Sequence, residues 1–169
     1  MFFPYRADNP RVLIPYVTYA LVAINVAVFF LQMVAPRELT TVFAIIPKMA
    51  TVDFGHFTLK LLTSMFLHGS ITHLGGNMLY LWIFADNVEG ILGHVKFTIF
   101  YLASGLAAGI VQTLVDPISI SPIVGASGAI AGVLAAYMIL FPHAKVHTFL
   151  FLLFYFTSIR IPAFYVLGF

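Results

Sequence analysis

The sequence predicts an all-α protein of the polytopic membrane class. Of its 169 residues, 62% are hydrophobic and only 8% are charged, and the mean hydropathy is +1.03. A water-facing surface needs more charge than this. The apolar runs are long and continuous, without the alternation of apolar and polar residues that membrane β-strands show. These observations exclude a soluble domain and a membrane barrel.

The charged residues and the cysteine count narrow the chemistry. The net charge of +2 comes from eight Lys and Arg against six Asp and Glu. They are scattered without a dense basic patch, so no nucleic-acid partner is expected. The absence of cysteine excludes disulfides, thiol catalysis and zinc–cysteine sites. The six histidines lack the spacing of a helix-borne zinc protease, so we expect no metal and no cofactor.

The first span is predicted over residues 12–35. It has about 24 residues, enough to cross a hydrocarbon core of ~30 Å with some tilt, and it is too long for a signal-peptide core. Asn25 in its middle is expected to bond a neighbouring helix. Residues 36–60 follow as a loop of mixed polarity, and a short apolar stretch within it favours the membrane interface.

The second span is predicted over residues 61–85 and carries His68, His73 and Asn77. Polar side chains at membrane depth usually face a bundle interior or a water-filled cavity. His73 and Asn77 lie one helical turn apart and therefore share a face. Both can donate hydrogen bonds, either to neighbouring helices or to a developing negative charge. The spacing leaves both alternatives open.

The third span is predicted over residues 97–115, where Gly105 and Gly109 have a spacing that favours close helix packing. The next loop contains Pro117 and Pro122 and cannot be a regular helix. A fourth helix is predicted from about residue 126 to about residue 141, with a length of only ~24 Å. Because this is shorter than the hydrocarbon core, the helix either begins inside the membrane or crosses a thinned bilayer.

The fourth helix opens with the stretch GASGAIAG, residues 125–132. One interpretation is packing, since Gly128 and Gly132 form a GxxxG pair. The other is a nucleophile: Ser127 lies between small residues that leave room for a substrate carbonyl, at a helix N-terminus that favours negative charge. This stretch alone admits both interpretations.

The C-terminal part is predicted as a polar turn at 142–147 and an interfacial segment at 148–158, followed by a span that starts near Pro162. That span is interrupted at Phe169. We therefore expect residues 1–169 to form a single transmembrane domain that is C-terminally incomplete.

The distribution of basic residues predicts an N-terminus on the cytoplasmic side of a cell membrane, because basic residues favour the inner side. The inner set is Arg6, Arg11, Lys96, Lys145 and Arg160, and the outer set is Arg37, Lys48 and Lys60.

Four stretches taken together resemble the rhomboid intramembrane serine proteases. They are Phe66-Leu67-His68, His73-Leu74-Gly75-Gly76-Asn77, Val88-Glu89-Gly90 and Gly125-Ala126-Ser127-Gly128. The resemblance covers roughly residues 60–169. It implies a rhomboid-like helical bundle with a six-helix core. Four full transmembrane helices and the start of a fifth would be present in this chain.

The resemblance also implies a function. Ser127 is the nucleophile, flanked by the motif glycines, and His73 and Asn77 stabilise the oxyanion together with the Ser127 N–H. His68 is structural and ties down the long outer loop. The substrates are transmembrane segments of other membrane proteins in the lipid bilayer. The family's Ser–His dyad needs a histidine on the sixth helix, expected beyond Phe169, so the 169 residues alone are expected to be inactive.

Two other classes of function fit parts of the pattern. A catalytically inactive rhomboid-like protein that binds membrane clients is compatible with the missing histidine. A transporter or channel could use Asn25, His73 and Asn77 as a polar path, but the spans lack the acidic residues common in ion pathways.

Overall fold

The computed structural model describes residues 2–9, 12–50, 54–152 and 155–168. Most of these residues are helical, as the composition predicts. The helices are α1 (Tyr16–Val34), α2 (Pro36–Phe43), α3 (Pro47–Ala50), α4 (Phe54–Thr63), α5 (Ile71–Tyr80), α6 (Asp86–Leu92), α7 (His94–Val115), α8 (Ser127–Leu140) and α9 (Ala163–Gly168). Ser64–Phe66 forms a 3-10 turn and Leu81–Ala85 a π turn.

Two of the described helices, α1 and α7, are long and apolar enough to cross a membrane by length and composition. The apolar helix α8 has 14 residues, which makes it about 21 Å long. The fourth helix is therefore as short as the sequence predicts.

The predicted bounds of the second span are wrong. Residues before Ile71 form α4 and the 3-10 turn, and α5 begins only after Ser70, whose hydroxyl oxygen accepts a hydrogen bond from the His73 N–H at 3.1 Å. Such a serine cap satisfies one of the free N–H groups of a helix start. The helical path then continues through the π turn to Leu92, and it ends at Gly93, where φ is +74°.

The π turn changes which side chains of this helical path share a face. Asn77 and Glu89 are twelve residues apart, which would separate them by about 120° in a regular α-helix. A π turn takes up one extra residue, so the separation falls to about 20°. Both side chains are buried, and both lead to contacts with α1.

Glu89 connects the helical path that runs from Ile71 to Leu92 with the start of α1. Its side chain is completely buried, and it accepts hydrogen bonds from the N–H groups of Val17 and Thr18 at 2.9 and 2.8 Å and from the Thr18 hydroxyl at 2.6 Å. His94 Nδ1 lies 2.6 Å from the same carboxylate. The first N–H groups of a helix have no partner within the helix, so Glu89 caps α1 from a neighbouring element.

Within the described residues, Asn25 makes no hydrogen bond to a neighbouring helix, contrary to the prediction. It is fully buried, but its Nδ2 donates to the Leu21 carbonyl oxygen of its own helix at 2.7 Å. The prediction was wrong because the preceding turn of α1 already offers an acceptor within reach.

The all-α prediction is wrong at one end of the molecule. There the strands β1 (Phe2–Ala7), β2 (Lys145–Leu152) and β3 (Tyr155–Pro162) form an antiparallel sheet in that order. The register pairs Arg6 with His147 and His147 with Arg160. Val146 and Thr148 are buried while Phe149 is exposed. This alternation is the two-residue period of a strand, so residues 142–158 are not simply a polar turn and an interfacial segment.

One further prediction agrees with the structure, and another involves a residue that the structure does not describe. The start of a fifth helical segment near Pro162 agrees with α9, which begins at Ala163. Arg11, one of the residues used to predict orientation, lies outside the described residues.

Small residues hold α7 against α8. A Cβ added at Gly128 would overlap Ala108 and one added at Gly132 would overlap Ser104. The packing interpretation of this glycine pair is therefore confirmed. Gly109 is packed in the same way against Leu61 and Ile45 from the loop side, with distances of 2.9 and 3.1 Å from an added Cβ.

Candidate active site

Ser127 is the first residue of α8 and is exposed, whereas the preceding Ala126 is fully buried. The loop that leads to it is fixed by two backbone hydrogen bonds. Ile123 N–H donates to the Ile45 carbonyl at 2.8 Å and Gly125 N–H donates to the Ser64 carbonyl at 2.9 Å. The serine therefore follows a turn that two backbone hydrogen bonds fix in place, and it lies at the N-terminus of a helix.

Gly125 allows this turn to pack against α5. A Cβ added to it would lie 2.7 Å from the Cε1 and Nε2 of His73 and 3.5 Å from the Nδ2 of Asn77. His73 and Asn77 therefore approach the same point of the backbone, two residues before Ser127.

His73, Asn77 and Ser127 line one lateral cleft of about 430 Å³ between α5 and α8, together with Tyr80 and Leu134. His73 and Ser127 also line a cavity of about 510 Å³ on the loop side, which includes Gln112 and Asp116. Two side-chain donors and the free N–H groups of a helix start thus line the same cleft as one hydroxyl. Such a set can stabilise a negatively charged oxygen.

His68 is buried and touches both neighbouring side chains. Its Nε2 lies 3.0 Å from the Nδ2 of Asn77, and its ring packs edge-on against His73 with centroids 5.2 Å apart. It lies in the loop between the 3-10 turn and α5. Burial, and then the neighbouring His73, lower the pKa of His68 to about 4, against a smaller opposing effect of the Phe66 backbone. The ring is therefore neutral at pH 7.

The structure brings His68, His73, Asn77 and Ser127 together, while their chemical roles stay predictions. Gly128 turns away from the cleft toward α7. Two other histidines lie at the opposite end of the helices. These are His94, paired with Glu89, and His147, whose Nε2 lies 2.6 Å from Asp8.

Sequence reasoning missed Gln32, whose Oε1 accepts a hydrogen bond from the His68 N–H at 2.9 Å. A signal was present in the first span. Thr18, Asn25 and Gln32 recur every seven residues, and all three are buried. Polar residues at that spacing lie along one helix face, so the stripe marks the side of α1 that meets polar groups.

Comparison with known proteins agrees with this arrangement. The family model of the rhomboid domain matches residues 55–169. Rhomboid protein 1, mitochondrial, from Saccharomyces cerevisiae is 34% identical over 155 residues, which cover 88% of this chain and 42% of that protein. Rhomboid protease GluP from Bacillus subtilis is 33% identical over 126 residues, or 73% of this chain and 24% of that protein.

A further relative is the presenilin-associated rhomboid-like protein, mitochondrial, of Homo sapiens, 35% identical over 100 residues, or 58% of this chain and 26% of that protein. The matched region spans less than half the length of each of these relatives.

Proposed function

The chain belongs to the rhomboid family of integral membrane proteins, and on that premise we propose that the complete protein is an intramembrane serine protease. It hydrolyses peptide bonds in or near transmembrane segments of other membrane proteins. The observation that carries the proposal is the shared cleft of His73, Asn77 and Ser127. A relative whose name describes a protease, GluP, supports the reaction class.

In the proposed reaction Ser127 Oγ attacks the scissile carbonyl carbon, and its proton passes to a histidine base. The carbonyl oxygen becomes an oxyanion, which accepts hydrogen bonds from the Ser127 N–H, the His73 ring and the Asn77 amide. Each pre-positioned donor of this kind is worth about 2.7–4 kcal/mol in the transition state. The base then protonates the leaving amine as the peptide bond breaks, and water hydrolyses the acyl-enzyme.

The base is proposed to come from a part of the complete protein outside residues 1–169. Among the described residues, His94 and His147 are paired with carboxylates far from the cleft, and His73 is assigned to the oxyanion. The relatives are more than twice as long as their matched regions. We therefore expect no peptide hydrolysis from the 169 residues alone.

The proposed orientation places Ser127 toward the outer side and the N-terminus in the cytoplasm, in a cell membrane. Arg6, Lys145 and Arg160 lie on the sheet and Lys96 near the start of α7, all at the end opposite Ser127. Basic residues favour the inner side of a membrane. The loop-side cavity with Gln112 and Asp116 would then admit water from outside.

Labelling of the complete protein in lipid vesicles with a fluorescent fluorophosphonate tests the proposal. We expect the wild-type protein to be labelled and Ser127→Ala to be unlabelled. Ser121→Ala is the matched control, because Ser121 is an exposed serine of the same loop, and it should label like wild type. A folded wild-type protein that takes no label contradicts the proposal.

A second function is favoured by one observation. Among the described residues, His73 is the histidine that lines the cavities around Ser127, and the proposed reaction uses it as a donor to the oxyanion. If the complete protein also brings no second histidine to Ser127, it is an inactive rhomboid-like protein that binds membrane clients. Unlabelled wild-type protein that still retains a single-span membrane protein in detergent would indicate this function.

A further inference from the structure

The amide nitrogen of Asn77 lies close both to His68 and to the turn before Ser127. Its Nδ2 lies 3.0 Å from His68 Nε2, and the same atom lies 3.5 Å from the position of a Cβ added to Gly125. An amide nitrogen carries two hydrogens. One is directed to the His68 ring, which leaves the other for the cleft of Ser127.

The direction of this amide matters for chemistry. An asparagine can present either its oxygen or its nitrogen, and only the nitrogen can donate to an oxyanion. Because His68 is neutral at pH 7, one of its ring nitrogens carries no hydrogen. With the proton on Nδ1, the lone pair of Nε2 accepts a hydrogen bond from the Asn77 amide nitrogen. The amide oxygen cannot take that place, because it has no hydrogen to donate.

The His68 backbone is held in turn by α1. The segment between the 3-10 turn and α5 is neither helix nor strand, and Gln32 Oε1 accepts the His68 N–H at 2.9 Å. Gln32 is only 6% exposed and lies in the last turn of α1. The chain of contacts therefore runs from α1 through His68 to Asn77.

We propose that Gln32 and His68 are positioning residues that hold the Asn77 amide with its nitrogen toward Ser127. This inference rests on the proposed function, since it names what sets the geometry of the oxyanion donors. The contacts act on the transition state, in which the oxygen carries its charge, and not on the first encounter with a substrate. Loss of the contacts that run from Gln32 through His68 to Asn77 therefore slows the chemical step without weakening the binding of substrate.

Two matched pairs of variants test this in the complete protein. Gln32→Met removes the acceptor, whereas Gln32→Glu keeps an acceptor oxygen at the same length. His68→Phe removes the ring lone pair, whereas His68→Gln places an acceptor near the former Nε2. Fluorophosphonate labelling at several concentrations separates the maximal rate constant from the concentration for half-maximal rate. Thermal unfolding in detergent identifies any variant that fails to fold.

We expect Gln32→Met and His68→Phe to lower the maximal rate constant by about 10- to 100-fold with an unchanged half-maximal concentration. Gln32→Glu and His68→Gln should stay within about threefold of wild type, since they keep the acceptor. Equal losses within each pair, or a change confined to the half-maximal concentration, would overturn the proposal. If one residue's variants do not fold, the other pair decides.

A second readout does not depend on activity. In protein labelled with ¹⁵N-asparagine, the Asn77 side-chain resonances are assigned by their loss in Asn77→Asp. We expect one Asn77 amide proton to exchange slowly with solvent in wild type and Gln32→Glu, and to lose this protection in Gln32→Met and His68→Phe. An Asn77 amide proton that exchanges as slowly in His68→Phe as in wild type would overturn the inference, even if the protein is labelled. Absence of labelling in a protein that shows the expected exchange pattern would count against the proposed protease activity alone.

Discussion

Gly125 lies so close to His73 that a Cβ added to the glycine would come within 2.7 Å of the ring Nε2. Its backbone φ is +119°, a conformation that residues with side chains rarely adopt. Two independent constraints thus require glycine at this position: the backbone conformation and the approach of His73. The turn before Ser127 depends on both.

We predict that Gly125→Ala strains this turn by about 1–3 kcal/mol and pushes His73 from the cleft. Fluorophosphonate labelling of Ser127 in the complete protein should fall at least about tenfold, and the unfolding temperature should fall too. Gly75→Ala is the control, because nothing lies within 4 Å of an added Cβ there and alanine favours a helix. Labelling of Gly125→Ala at the wild-type rate would contradict this role of the glycine.

The local spacing of His73 and Asn77 predicted that they share a helix face, whereas their approach to Ser127 followed from the order of the spans and from the resemblance to the family. The packing interpretation of the glycine-rich stretch is confirmed at Gly128, and the nucleophile interpretation of the neighbouring Ser127 stays a prediction. Gly128 faces α7, while Ser127, about 100° away around the helix, faces the cleft. No choice between packing and an exposed serine was needed.

The sheet and the π turn were harder to predict. Residues 145–152 are mostly apolar, and a short apolar run does not distinguish a strand from a buried helix by its period alone. The π turn lies in a segment where Leu81, Ile83, Phe84 and Ala85 are all buried, so no polar residue reveals the extra residue. Gln32 was missed because its partner is a backbone N–H, so the polar stripe of α1 marks its face but does not identify what it binds.

The buried carboxylate of Glu89 should stabilise the fold at the start of α1. We predict that Glu89→Ala lowers the free energy of unfolding by at least about 3 kcal/mol, because it leaves the N–H groups of Val17 and Thr18 without an acceptor. Glu89→Gln keeps one acceptor oxygen and should lose less. Thermal unfolding in detergent measures both.

Glu38→Ala is the control for this experiment, since Glu38 is an exposed carboxylate in the first turn of α2. It should change stability by less than about 1 kcal/mol. The cap role of Glu89 predicts that Thr18→Val has a smaller effect in the Glu89→Ala background than in wild type. Fully additive losses would argue against a shared contact.

The neutral His68 should make stability depend on pH. Its pKa is lowered from 6.5 to about 4 in the folded protein, so the unfolded chain takes up a proton at a higher pH than the folded one. The stability that this site contributes is present at pH 7 and declines as the pH falls from about 6.5 to about 4. A shift of this size corresponds to about 3 kcal/mol.

We therefore expect the unfolding temperature of wild type to fall more steeply between pH 7 and pH 4 than that of His68→Gln, which has no proton to gain. The exposed His143 provides the control, and His143→Gln should follow the wild-type curve. Parallel curves for wild type and His68→Gln would show that His68 is not held neutral by the fold.

The π turn provides the last prediction, because its extra residue aligns two groups that act at opposite ends of one helical path. Inserting one alanine after Trp82, a half-exposed residue inside Leu81–Ala85, should rotate Asn77 by about 100° relative to Glu89, because the π turn takes up only one extra residue. Asn77 and Glu89 then cannot both keep their partners. Deletion of Trp82 is the control: it removes the extra residue and the stacking on Tyr19, but eleven residues of regular helix keep Asn77 and Glu89 about 20° apart.

We expect the alanine insertion to lower the unfolding temperature, the Ser127 labelling rate or both far below those of the Trp82 deletion. If Glu89 keeps its contacts with α1, which Thr18→Val in the insertion background would reveal, the loss falls on labelling. If Asn77 keeps its contact with His68, the loss falls on stability. An insertion variant that matches the Trp82 deletion in both measurements would show that the register of this helix does not couple the cleft to Glu89.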